Sequence, residues 1–197
     1  IQSHVLRYEL AHELGYSQQY YKHRTAHLVE IETDEGITGW GECFGPGNIA
    51  LANKYIVEKV IQPLIIGEDP TNKEYIWHKV YNLLRDSGQK GIPIQALSGV
   101  DLALWDILAK KAKLPLYQLV GGKCNTQIPV YGYGMMLQKK SVDELAELFK
   151  EEAKHIKSKN FKAMKMKIGL GPKKNLQLVQ AVRGAIGNDF KLMVDAN

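Results

Sequence analysis

Cysteine is nearly missing from this chain of 197 residues, which holds only Cys43 and Cys124. Two thiols cannot build a disulfide framework or a four-ligand zinc site, and both read as reduced. The six histidines show no His-Glu-x-x-His or Cys-His spacing, which argues further against zinc. Long apolar runs are lacking too. No stretch reaches the roughly 18 uninterrupted apolar residues that a membrane-spanning helix needs. Ile1-Gln2-Ser3-His4 lacks the basic-then-apolar order of a secretion signal. The expectation is a soluble, cytoplasmic protein without a membrane partner. Low-complexity segments are absent, and apolar residues are spread along the chain, which excludes a disordered polypeptide or a collagen-like repeat. Gly169-Leu170-Gly171 follows a strand candidate but lacks the third glycine and the acidic partner of a dinucleotide-binding turn.

What is present is an ordinary globular balance, 45% hydrophobic and 24% charged. The net charge of +5 raises nucleic acid as a partner, so its distribution matters. Residues 1–127 carry 13 basic and 14 acidic side chains, and residues 128–197 carry 13 and 7. In that last third Lys150, Lys154 and Lys157 alternate with Glu147, Glu151 and Glu152, the pattern of a solvated helix face. No aromatic residues interleave with them as stacking platforms, so no nucleic-acid partner is expected.

Hydrophobic periodicity divides the chain into two rhythms. His4–Leu10 reads as a strand, and residues 11–23, rich in Tyr, Gln and His, read as a loop. Thr25–Thr33 and Ile37–Phe44 read as strands joined by a turn at Asp34-Glu35-Gly36. Helices follow: one capped by Asn48 and ended by Pro63, one opened by a capping box of Thr71 and Glu74, and one over about Pro93–Ala112. Beyond residue 125 the order becomes β-α-β-α-β. Strands are expected at Ile128–Gly134, Phe161–Ile168 and Lys191–Asp195. The helices between them open at Ser141, with Glu144 completing a box, and at Pro172, with Gly187 ending the second. The predicted fold is an α+β domain over 1–125, with an antiparallel meander then helices, followed over 126–197 by parallel strands with crossover helices, as in doubly wound sheets and (β/α)₈ barrels.

Three segments carry a family resemblance. The first runs from Ala96-Leu97-Ser98-Gly99-Val100-Asp101-Leu102-Ala103-Leu104-Trp105-Asp106 through Leu114-Pro115 to Gly121-Gly122. The second is Gly39-Trp40-Gly41-Glu42-Cys43. The third pairs Lys165-Met166-Lys167 with Met193-Val194-Asp195-Ala196-Asn197. Together they resemble the mandelate racemase/muconate lactonizing enzyme group of the enolase superfamily, with its capping domain and the first strands of its TIM-like barrel. Such a barrel takes ~250 residues, and 70 residues at roughly 30 per βα unit supply fewer than three of eight. The chain is therefore expected to be a truncated product or the N-terminal part of a longer polypeptide, catalytically inert alone.

The lysines suit the implied chemistry. Lys165 and Lys167 lie two apart on a strand, so their side chains leave one face, while Met164, Met166 and Ile168 point the other way. Paired lysines on a strand are ordinarily a solvated edge; on the packed inner face of a barrel they require another explanation. The resemblance implies that Lys167 is the base that removes the proton next to a substrate carboxylate, with Lys165 lowering its proton affinity and binding that carboxylate. It implies Asp195 as a Mg²⁺ ligand, Asn197 as a substrate contact, and Tyr16, Tyr20 and Phe44 as part of two substrate-choosing loops. Enolase-superfamily sites use a Lys or His base with one or two Mg²⁺. The implied activity is acid-sugar dehydration through an enediolate, with racemisation, epimerisation or cycloisomerisation as alternatives, and with homo-oligomeric assembly. A non-catalytic fragment or interaction module is the remaining reading.

Overall fold

The computed structural model describes residues 1–16 and 19–196. Two compact units emerge, one of Ile1–Glu9 with His23–Cys124 and one of Leu10–Lys22 with Asn125–Asn197.

The first unit is built on a three-stranded sheet in the order β1 (Gln2–Tyr16), β2 (Gln19–Glu32), β3 (Thr38–Cys43). Antiparallel pairing sets Val29 against Gly41 and Ile31 against Gly39. The turn closes where expected, with Gly36 at φ 75°. Val29, Ile31 and Cys43 alternate onto the buried face. The longest helix, α4 (Ile92–Ala112), lies against that face and buries Leu97, Val100, Leu104 and Ile107. It is long and apolar enough to cross a membrane by length and composition; here its apolar surface forms the core of this unit. Burial pushes the Cys43 thiol up to about 12, which leaves it inert.

Several local expectations change. The described residues of 11–23 are not a loop: β1 continues to Tyr16 and β2 begins at Gln19. The missing apolar period hid this, because here half-buried tyrosines, Tyr16, Tyr20 and Tyr21, fit a strand surface without apolar alternation, and Gly15 gains a further ladder partner in Leu137. Pro63 does not end its helix. α1 (Ile49–Ile56) passes through a π-turn at Val57–Ile61 into α2 (Gln62–Ile65), and this widened turn directly before Pro63 accommodates the proline within a continuous helix. The Asn48 side chain makes no cap bond. Thr71 instead donates to Asp69 through its backbone and its hydroxyl, and α3 (Lys73–Leu84) starts after Asn72. A short helix, α5 (Leu116–Leu119), completes the unit.

The second unit holds three parallel strands in the order β4 (Gly132–Tyr133), β5 (Ala163–Lys167), β6 (Lys191–Asp195). β4 is shorter than expected, since Ile128 and Val130 stay exposed and outside any ladder. α6 (Val142–Ser158) opens with the full Ser141–Glu144 capping box, and α7 (Pro172–Ile186) ends at Gly187, both where the sequence places them. Met164 and Met166 on β5 are fully buried in one cluster with Phe149 and Ile156 of α6 and Leu178 and Val182 of α7. That packing fixes the opposite face of β5 as the one carrying its lysines.

Candidate active site

The parallel register sets Lys165 opposite Met193 and Lys167 opposite Asp195. Lys167 and Asp195 are thus the last residues of adjacent strands, at the C-terminal edge where barrel enzymes carry their chemistry. Lys165 Nζ and Lys167 Nζ both donate to the same oxygen, Asp195 Oδ2, each at 2.9 Å. The Lys167 side chain is the more enclosed, 10% exposed against 23% for Lys165. The Asp195 hydrogen bond, opposed by desolvation, pushes the Lys165 ammonium above its usual range. The carboxylate is therefore the main influence on Lys165.

Aromatic rings border the pair. The Tyr133 ring centroid lies 4.8 Å and that of Tyr131 5.8 Å from Lys165 Nζ, while the Tyr16 ring lies 5.8 Å from Lys167 Nζ. These are cation–π distances. Tyr16 was among the expected substrate contacts, and its hydroxyl donates to Gln19 at 2.9 Å. Tyr20 instead packs against the core of the second unit, with the Lys139 ammonium 5.6 Å from its ring. Phe44 belongs to the first unit, where its carbonyl accepts from Asn53 at 2.8 Å and its side chain is exposed. Asn197 lies outside the described residues. Sequence reasoning missed Tyr131 and Tyr133. Their signal was the two-residue spacing of Tyr131 and Tyr133 inside an expected strand, which puts both rings on one face; that this face adjoins Lys165 comes from the ladder.

Mg²⁺ takes an octahedral shell of oxygens, and Asp195 presents a carboxylate at a strand end, so it fits as one ligand. Among the described residues no group of three or more His, Cys, Asp or Glu side chains could hold a metal ion.

Comparison with known proteins identifies the family. Residues 12–121 match the family model of the mandelate racemase/muconate lactonizing enzyme N-terminal domain, and residues 148–197 match that of the enolase C-terminal domain-like family. The chain belongs to the mandelate racemase/muconate lactonizing enzyme family. It is 38% identical, over its whole length and 50% of the relative, to D-galactarolactone cycloisomerase of Agrobacterium fabrum. It is 39% identical to arabinonate dehydratase of Saccharolobus solfataricus, over 86% of this chain and 44% of that one. A crystal structure of a Streptomyces coelicolor racemase with bound magnesium superposes with a TM-score of 0.88 at 32% identity, covering 100% of this chain and 54% of its own. The chain spans about half the length of the relatives it matches. The first unit thus corresponds to the family's capping domain, and the β4-α6-β5-α7-β6 run to the start of its barrel.

Proposed function

We propose that this chain supplies the proton-abstracting part of a site that acts on carboxylate substrates, and that the full-length protein dehydrates an acid sugar. The observation that carries the reading is the convergence of Lys165 and Lys167 on one Asp195 oxygen at the ends of adjacent parallel strands. Lys167, the more enclosed amine, is the base for the α-proton. Lys165, which its counter-ion keeps charged, binds the substrate carboxylate. The two roles need opposite protonation states, so Lys167 must give up its own proton before it can take one from the substrate. Asp195 would hold Mg²⁺ as one of its oxygen ligands; a bound ion would supply positive charge against the negative charge that develops on the substrate carboxylate. After Lys167 takes the proton, the electron pair left on the α-carbon expels the β-hydroxyl, giving an enol that tautomerises to a 2-keto-3-deoxy acid. The family resemblance assigns the acid that protonates the leaving hydroxyl to later strands. Tyr16, Tyr131 and Tyr133 offer apolar surface with hydroxyl tips, which suits a polyhydroxylated ligand. The 38% identity to a cycloisomerase, over the whole of this chain and half of that relative, favours ring opening or closure as the second reading, with the same first proton transfer.

The test incubates the full-length protein with Mg²⁺ and a panel of acid sugars in D₂O. α-Proton exchange is followed by NMR, and 2-keto acid formation by a colorimetric assay. At least one substrate should react, and Lys167→Met should slow both signals by roughly 100-fold or more, the usual contribution of a general base. A Lys167→Met protein within tenfold of wild type would remove the assignment.

A further inference from the structure

We propose that Glu152 is a positioning residue that holds the backbone beneath Lys167 and the aromatic cover above it. The inference deepens the proposed function and rests on Lys167 being its base.

Glu152 projects from α6, half-buried, and its Oε2 accepts the backbone N–H of Met135. Met135 follows β4, is fully buried, and has φ of 53°, in the left-handed region that side-chain-bearing residues seldom adopt. Such a conformation persists only where its surroundings hold it, and a carboxylate on its N–H is a strong, charge-assisted restraint. Gly134 makes room for this contact: a Cβ there would come within 3.0 Å of the same Glu152 oxygen.

Two connections leave Met135. Its carbonyl accepts the Lys167 N–H at 3.2 Å, which fixes the main chain of the base. Two residues on, Leu137 pairs with Gly15 in both directions: Gly15 donates to the Leu137 carbonyl at 2.6 Å, and Leu137 donates back at 3.1 Å. Gly15 precedes Tyr16, whose ring lies 5.8 Å from Lys167 Nζ. Lys139 adds an ion pair to Glu13 at 2.7 Å. Residues 135–139 therefore join the strand carrying the base to the end of the β1–β2 hairpin. All of these groups belong to one compact unit, and Glu152 holds the strap at its left-handed residue. Loosening that residue loosens Tyr16 over Lys167, so Glu152 governs how tightly the site closes on its substrate.

The experiment compares wild type, Glu152→Ala and Glu152→Gln by amide hydrogen exchange and by acetylation of lysines with a water-soluble succinimidyl ester, mapped by mass spectrometry. In Glu152→Ala the Gly15 and Leu137 amides should exchange about tenfold faster, the effect of losing one hydrogen bond. Lys167 should label several-fold faster, while the Leu178 and Val182 amides of α7 stay unchanged. Glu152→Gln, whose side-chain oxygen still accepts, should stay near wild type. Exchange and labelling within twofold of wild type in Glu152→Ala, acceleration spread evenly into α7, or a Glu152→Gln protein as loose as the alanine variant would each overturn the proposal. If Glu152→Ala does not fold, Lys139→Ala removes the ion pair between the strap and Glu13 without touching α6. It should expose Lys167 to labelling, and unchanged labelling refutes the coupling. In the full-length enzyme Glu152→Ala should raise KM more than it lowers kcat. If Lys167→Met keeps its activity, the role of base fails while the exchange and labelling results still judge the strap.

Discussion

At the scale of single residues, what sequence shows depends on whether a property is local. That Lys165 and Lys167 share a face follows from the two-residue period of a strand, and the structure agrees. That Asp195 stands opposite Lys167 does not, because register between parallel strands is set by the packing of the helix between them. His27 is a further case. Its sequence context reads as mid-strand, yet it is fully buried opposite Cys43, and both ring nitrogens lack a hydrogen-bond partner among the described residues. Burial, the Lys54 ammonium and His4 hold its pKa below the usual value, with Glu58 opposing them. An unfolded chain, whose imidazole titrates near 6.5, takes up the proton before the folded one does. Stability is therefore complete above pH 6.5 and declines as the pH falls from there toward the lower folded value, by at most about 1.4 kcal/mol per pH unit from this group. Urea unfolding of the protein between pH 8 and 5 should show that decline, and His27→Leu should flatten it. An unchanged slope in His27→Leu would mean that other groups control acid sensitivity.

At the scale of elements, the glycine-rich motifs have a packing cause. A Cβ on Gly41 would lie 1.9 Å from the Gly99 carbonyl oxygen, one on Gly39 2.2 Å from that of Ala103, and one on Gly99 2.3 Å from Cys43 Sγ. β3 and α4 thus approach backbone to backbone, which only glycine permits. Trp40, between the two strand glycines, donates its N–H to Asp106 of α4 at 2.9 Å. Gly41→Ala should push the helix from the sheet and cost about 3 kcal/mol, at the upper end for overpacking. Gly36→Ala, in open space, should cost less, through its positive φ alone. Chemical unfolding of both variants checks the order, and equal costs would show that the close approach is not limiting. Element identity was legible where local chemistry decides it, as in the Ser141–Glu144 box and the Pro172 and Gly187 ends of α7. It was illegible where tertiary pairing decides, as along the extended β1–β2 hairpin, or where a π-turn absorbs a proline.

At the scale of the whole molecule, the composition of the site constrains what this chain can bind by itself. Magnesium dehydrates reluctantly, and one carboxylate must compete with five or more water molecules for it. Asp195 carries a second handicap, since both lysines already occupy its Oδ2 and a cation would have to displace or confront two ammonium groups. The 197-residue chain should therefore bind Mg²⁺ with a Kd weaker than about 1 mM, less than roughly 4 kcal/mol of binding free energy. Calorimetric titration near pH 7 reads this directly. Lys165→Met removes one competing ammonium and should tighten the weak binding, whereas Asp195→Asn should abolish it. The full-length protein, if later strands bring the further acidic ligands that the family resemblance implies, should bind at least tenfold more tightly, worth about 1.4 kcal/mol. Tight stoichiometric binding to this chain alone would mean that its own oxygens complete a site around Asp195, and the division of the metal centre between this half and later strands would have to be given up.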